Sequence, residues 1–181
     1  MDTMDKYSFT VDGVAVDAGN LAQVMSYVSS VGASSSTHGY ICSSYGSNII
    51  TRHAFASDVG STNVATQANT AGDCAGATSS THGYFSGGYA GVVTGTNLIG
   101  KMSVATEGAS TDIGDLTRNG TQEGAASSAT HGYVAGGGSG NGVRSNVIDR
   151  FSFSVDGDAT DVGDMLQNSY RKGGSSSTSH G

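Results

Sequence analysis

From Arg150 to Val155 the chain reads Arg-Phe-Ser-Phe-Ser-Val, apolar and polar residues alternating one for one. A β-strand sends successive side chains to opposite faces, so this stretch predicts a strand with one buried face. Asp156-Gly157 follows. Asp-Gly readily adopts the positive φ angles of a tight hairpin, which predicts a turn leading into a short strand from Thr160 to Met165. The same phrase stands at Lys6-Tyr7-Ser8-Phe9-Thr10-Val11 before Asp12-Gly13, and more loosely at Lys101-Met102-Ser103-Val104. Arg52-His53-Ala54-Phe55 keeps the alternation, with Asp58-Val59 near the place of the Asp-Gly. A second pattern joins Gly124–Ser128 to Tyr133–Gly137 through Thr130-His131-Gly132, and it predicts two strands flanking a His-Gly turn. A helix over Leu21 to Val28 is the competing local reading. Its Ser and β-branched residues disfavour it.

Both patterns recur. Thr37-His38-Gly39-Tyr40, Thr81-His82-Gly83-Tyr84 and Thr130-His131-Gly132-Tyr133 are followed by a final Ser179-His180-Gly181, and the last two intervals between histidines are each 49 residues. The units run over about 5–48, 49–97, 98–146 and 147–181, the last incomplete. A fixed period of this length marks one structural unit copied along the chain. Four short antiparallel strands per unit make the blade of a β-propeller, whose faces are buried only against neighbouring blades. The rungs of a β-solenoid are usually shorter. The expectation is therefore an all-β propeller, or an arc of one, with Tyr7, Phe9, Phe151 and Phe153 filling the space between blades. The first unit opens on the third strand of a blade and the last stops inside its turn. Joining the two predicts a blade short of one strand.

These units resemble kelch-type repeats. Tyr133-Val134-Ala135-Gly136-Gly137 and Tyr84-Phe85-Ser86-Gly87-Gly88 match the aromatic strand that ends in Gly-Gly, and Asn146-Val147-Ile148-Asp149-Arg150-Phe151 resembles the strand after it. Ser43-Ser44 replaces the glycines in the first unit, and the Trp typical of the family is absent throughout. The Ser-Ser-Thr-His-Gly-Tyr and Asp-Val-Gly-Asp phrases are also similar to Gly/Ser-rich repeat proteins of bacterial viruses, notably those of aquatic cyanobacteria. That resemblance implies a virion or tail-fibre component.

Composition narrows the function. Lys and Arg total 8 against 15 Asp and Glu, a net charge of -7, which disfavours nucleic acid and anionic membrane surfaces. Charged residues are 13% of the chain, below the roughly 25% of ordinary domains, and 29 glycines help to fill the gap. With regularly placed aromatics and no Pro, this composition suits small-residue sheets with many turns rather than disorder. No apolar run reaches the length of a membrane-spanning helix, and the acidic start Met1-Asp2-Thr3-Met4-Asp5-Lys6 lacks a signal-peptide layout. Cys42 and Cys74 occupy non-equivalent places in their repeats, which argues against a repeat-defined disulfide framework and suits a reducing compartment or a virion assembled in one.

Candidate chemistry is then weighed against scaffolding. His38, His82, His131 and His180 read as repeat turn markers. A ring of imidazoles could bind a transition metal only if every ligand came within about 2 Å of it. Asp112 with Asp115, and Asp161 with Asp164, offer oxygen to Ca²⁺, but they lack the dense ligand loop of a strong calcium motif and read as turn formers. Ser and His recur in every unit, whereas a catalytic triad is asymmetric. Gly138-Ser139-Gly140-Asn141-Gly142 has no following Lys-Ser/Thr, so it reads as a loop and not a phosphate cradle. The sequon at Asn119-Gly120-Thr121 carries little weight alone. The variable segments Gly87 to Asn97 and Gly136 to Asn146 bring Tyr89, Asn97, Asn141 and Arg144 to loops suited to binding a protein or glycan. The sequence thus predicts a non-enzymatic structural or adhesive protein without catalytic residues, metal or cofactor. It is placed in a virion or tail fibre, with protein partners, self-association or a host-surface glycan as its contacts. An extracellular or cellular kelch-like propeller binding glycans or proteins is the alternative, and a propeller enzyme the third.

Overall fold

A computed structural model describes residues 2–23, 32–42, 47–68, 71–90, 94–139, 142–171, 173–177 and 180–181. The fold is all-β, with no helix among the described residues. Strands β1 (Thr3–Lys6) and β2 (Val16–Asn20) pair as a two-stranded sheet. The first four-stranded sheet holds β3 (Gly32–Ser34), β4 (His38–Cys42), β5 (Ile49–Ala54) and β6 (Thr62–Thr66). Short β7 (Ala71–Gly72) pairs with β10 (Tyr89–Ala90). The second four-stranded sheet holds β8 (Ala75–Thr78), β9 (His82–Ser86), β11 (Thr96–Ser103) and β12 (Thr111–Gly120). The third holds β13 (Gly124–Ser127), β14 (His131–Ala135), β15 (Ser145–Ser152) and β16 (Thr160–Ser169). Each four-stranded sheet is an antiparallel meander in chain order. The sequence repeat is out of phase with the sheets, because each meander takes two strands from one unit and two from the next.

The meanders stack by contacts that recur from one boundary to the next. Ser61 N–H donates to Asn20 O at 2.8 Å, Ser110 N–H to Thr66 O at 2.7 Å, and Ala159 N–H to Asp115 O at 2.8 Å. Ion pairs recur in step: Lys6–Asp58, Arg52–Glu107 and Lys101–Asp156, at 2.6, 2.8 and 2.7 Å. The first strands lie side by side, Ser34 N–H reaching Thr78 Oγ1 and Thr78 N–H reaching Ser127 Oγ. Gln122 N–H donates to Asp73 O and Arg171 N–H to Gln122 O. All three of those residues hold the same left-handed backbone, φ 57°, 60° and 57°. One apolar cluster fills the space between the first and second meanders, around Tyr40, Cys42, Ile50, Phe85 and Met102. The next lies between the second and third, around Tyr84, Ile99, Leu116, Val134 and Phe151. Full burial of one such side chain stabilises by roughly 1.5–3 kcal/mol, so the inter-sheet space is where the repeat gains its stability. The arc is open. Leu166 on the outer strand of the third meander is 103% exposed, and Phe9 beyond β1 is 93% exposed. This arrangement is compatible with an arc of a β-propeller.

Three local expectations are corrected. The predicted His-Gly turn lies elsewhere: His38, His82 and His131 each begin a strand, and Ser35 N–H bonds His38 O across a loop centred on Ser36-Thr37. Ser35 Oγ accepts the N–H groups of Thr37 and His38, so the loop closes without any positive φ. Ser79 and Ser128 repeat this. Secondly, β15 ends at Ser152, whose Oγ accepts from Ser154 and Val155 N–H and turns the chain before the predicted Asp-Gly. Ser8 does the same for Thr10 and Val11, so β1 stops at Lys6. Thirdly, Phe151 and Phe153 do pack between sheets, on Tyr84 at 5.3 and 4.7 Å between ring centroids, but Tyr7 and Phe9 are exposed and meet each other edge to face. Residues 24–28 of the weighed helix lie outside the described residues.

Candidate functional site

A meander places its first and third turns at one end and its second connection at the other. The Ser-Thr-His turns therefore share an end with the loops after β5, β11 and β15. Between the first two meanders this end opens into a cleft of about 760 Å³, lined by Ser35, Thr37, His38, Tyr40, Arg52 and Glu107 among others. Arg52 Nη1 pairs with Glu107 Oε1 at 2.8 Å, and Tyr40 donates to Val104 O at 3.2 Å. Burial raises the Tyr40 phenol, and Glu107 adds to this against the opposing pull of Arg52. The cleft is a hydroxyl-rich wall with one ion pair, chemistry suited to hydrogen bonding a polar ligand.

The recurrent histidines are engaged within this end. Thr37 Oγ1 and His38 Nδ1 lie 2.8 Å apart, and Thr81–His82 and Thr130–His131 repeat that distance. His180 N–H is held by Ser177 Oγ. The glycine after each of the three described histidine strands' first residues is set by packing. A Cβ at Gly132 would stand 2.3 Å from the Phe151 ring, and one at Gly39 would stand 2.4 Å from the His53 imidazole. Burial and neighbouring His38 lower the His53 pKa; burial and Lys101 lower that of His82. The Asp carboxylates shape backbone: Asp17, Asp112 and Asp161 each accept the N–H of the glycine two residues on. Among the described residues no group of three or more His, Cys, Asp or Glu side chains converges.

Of the loop residues singled out in the sequence, Tyr89, Asn97 and Arg144 stand at the opposite end. Tyr89 lies in β10, half-buried, opposite Gly72. Asn97 is half-buried in β11. Arg144 is exposed, its guanidinium 4.6 Å from the ring centroid of Tyr170. Asn141 lies outside the described residues. Tyr89 thus belongs to the small β7–β10 sheet and Arg144 to the connection ahead of β15 of the third meander. Gly87-Gly88 and Gly136-Gly137, which begin these loops, take the positive φ angles that suit glycine.

One buried group and one buried contact escaped the sequence reading. Glu123, between β12 and β13, is buried, and its pKa is pushed up to about 8 by desolvation. The facing Arg118 gives little relief. Its Nη1 stands 4.0 Å away, while Nε and Nη2 serve Ser145, Gly136 and Val147. Cys42 and Cys74, buried between the first two meanders, bring their sulfurs to 2.6 Å without a disulfide. Non-equivalent repeat places made them look unrelated, but the boundary between sheets brings them together. Among the described residues no helix is long and apolar enough to cross a membrane. The chain matches no protein-family model and no curated protein.

Proposed function

We propose that this chain is an arc of a kelch-like β-propeller that serves as a non-enzymatic structural and adhesive component of a phage virion or tail fibre, displaying variable loops to a host surface or protein. The observation carrying this reading is the division of labour between repeats. The Ser, Thr and His side chains that recur are used the same way in every described copy, to close a turn. The connection ahead of β15, which differs between copies, carries exposed Arg144, its guanidinium over the Tyr170 ring. A guanidinium on an aromatic face is a platform for stacking and hydrogen bonding. The virion assignment rests on the resemblance of the repeat phrases. The hydroxyl-lined cleft at Thr37 and Arg52 favours a second reading, a secreted or cell-surface propeller that binds glycans there.

Binding of the purified chain to an array of bacterial surface polysaccharides tests the adhesive role. Binding lost in Arg144→Ala and kept in Arg52→Ala supports display by the loops; the reverse supports the cleft. Absence of binding to every polysaccharide sinks adhesion. Peptides of the chain in purified virions would support the virion assignment, and their absence from virions of a phage encoding it would remove it.

A further inference from the structure

The repeated contacts predict what the uncovered ends would hold. Cations stand at Lys6, Arg52, Lys101 and Arg150, at intervals of 46, 49 and 49 residues, and acids at Asp12, Asp58, Glu107 and Asp156, at the same intervals. Each cation pairs with the acid of the following sheet, as Lys6–Asp58, Arg52–Glu107 and Lys101–Asp156. Arg150 at one end of the arc and Asp12 at the other complete the two series. Both are exposed, and neither has an ion-pair partner among the described residues.

The apolar series is left open at the same two places. Tyr40 packs against the sheet that contributes Met102, and Tyr84 packs on Phe151 and Phe153. Both tyrosines are buried, while their equivalent Tyr133 is only partly so. The residues that stand where Phe151 and Phe153 stand are Tyr7 and Phe9, 68% and 93% exposed. The backbone series ends likewise. Asn20, Thr66 and Asp115 carbonyls accept from the next sheet, and Asp164 is the next carbonyl in step, with Ala15 N–H as the next donor. A Cβ at Gly163, beside it, would meet no described atom within 4 Å, whereas one at Gly114 would press on Gly157 of the neighbouring meander.

We propose that the outer face of the third meander docks onto the β1–β2 end of a second copy of this chain, head to tail, with Arg150 pairing Asp12, Tyr133 packing on Tyr7 and Phe9, and Ala15 N–H meeting Asp164 O. The occupant is a second copy because the two ends are complementary to each other in charge, in aromatic packing and in backbone donors. They also continue an interface that the chain already makes within itself. Gly174 lies against Ala125 O beside β13, as Gly76 lies against Gly32 O beside β3, so the joint would bring backbone of both copies into the place of one sheet. Such a heterologous contact propagates or closes into a ring. The inference stands on inter-sheet contacts alone and holds whether or not the loops bind a glycan.

Light scattering and sedimentation of the 181-residue chain at rising concentration test it. The wild type should form species at multiples of 18.0 kDa. Arg150→Glu and Asp12→Lys should each shift the mass to one chain, with circular dichroism and Tm unchanged because both positions are exposed. An equimolar mixture of the two variants should regain the assembly, since each supplies the charge that the other lacks. A wild type that stays at the mass of one chain overturns the proposal, as does an assembly indifferent to both swaps or a mixture that stays at one chain.

Discussion

Arg118 Nη1 stands 4.0 Å from Glu123 Oε1, and although both atoms are buried the pair is poorly joined. The guanidinium spends its better-directed N–H groups on Ser145 and on carbonyls of the third meander. Desolvation therefore outweighs attraction, and Asp149 and Asp73 add repulsion.

Stability should respond to pH through Glu123. Its folded pKa, about 8, lies above that of an unfolded glutamate. The stability it permits is fully present below the unfolded value, near pH 4.5, and is lost as pH rises through about 8. Glu123→Gln should flatten the fall in ΔG between those limits and raise stability at pH 7 by roughly 3 kcal/mol. Urea unfolding at pH 5, 7 and 8.5 would measure this; equal slopes for the two proteins would refute it.

Gly132 is required by space. Its Cβ would stand 2.3 Å from the Phe151 ring, and that ring is 2% exposed in the core. Gly132→Ala should cost about 2 kcal/mol. Gly13→Ala, with nothing within 4 Å, should change stability by less than about 0.5 kcal/mol. Thermal unfolding of both variants separates a packing role from a generic glycine effect.

The repeated ion pairs should differ in worth. Lys6 and Asp58 are each nearly half exposed, at 48% and 47%, while Arg52 and Glu107 are 34% and 20% exposed. Double-mutant cycles should give about 1 kcal/mol for Arg52–Glu107 and under about 0.5 kcal/mol for Lys6–Asp58. Added salt should erase the second before the first.

The two thiols should be silent in the folded protein. Burial, then the hydrogen bond and charge coupling to Cys74, hold Cys42 well above the ordinary thiol range. Both side chains are buried away from reagent, so iodoacetamide at pH 8 should label neither cysteine in the native chain and both in denaturant. Rapid native labelling of Cys42 would contradict the packed boundary.

The strands were legible where alternation and burial agree. Phe151 marks β15, and Thr160 begins β16 as its pattern predicts. The turns were misread for a physical reason. Glycine beside histidine looks like a positive-φ turn, but Ser35 Oγ satisfies the loop N–H groups and leaves Gly39 to make room for His53. The same substitution of hydroxyl for backbone freedom ends β1 and β15 early at Ser8 and Ser152. Glu123 gave no signal, since one glutamate in a Gly-rich segment reads as solvated, and only the approach of Gly87, Gly120 and Gly137 encloses it. The cleft was equally hidden. Arg52 and Glu107 are 55 residues apart in the chain and meet only through stacking of the sheets.

The left-handed corners at Asp73, Gln122 and Arg171 each hand a carbonyl or an amide to the next corner along. Each corner therefore sets the angle to one neighbour without reference to how many sheets there are. Curvature is written locally and length is left free. Asp73, Gln122 and Arg171 stand 49 residues apart, so the spacing to one neighbour is all that each bond specifies.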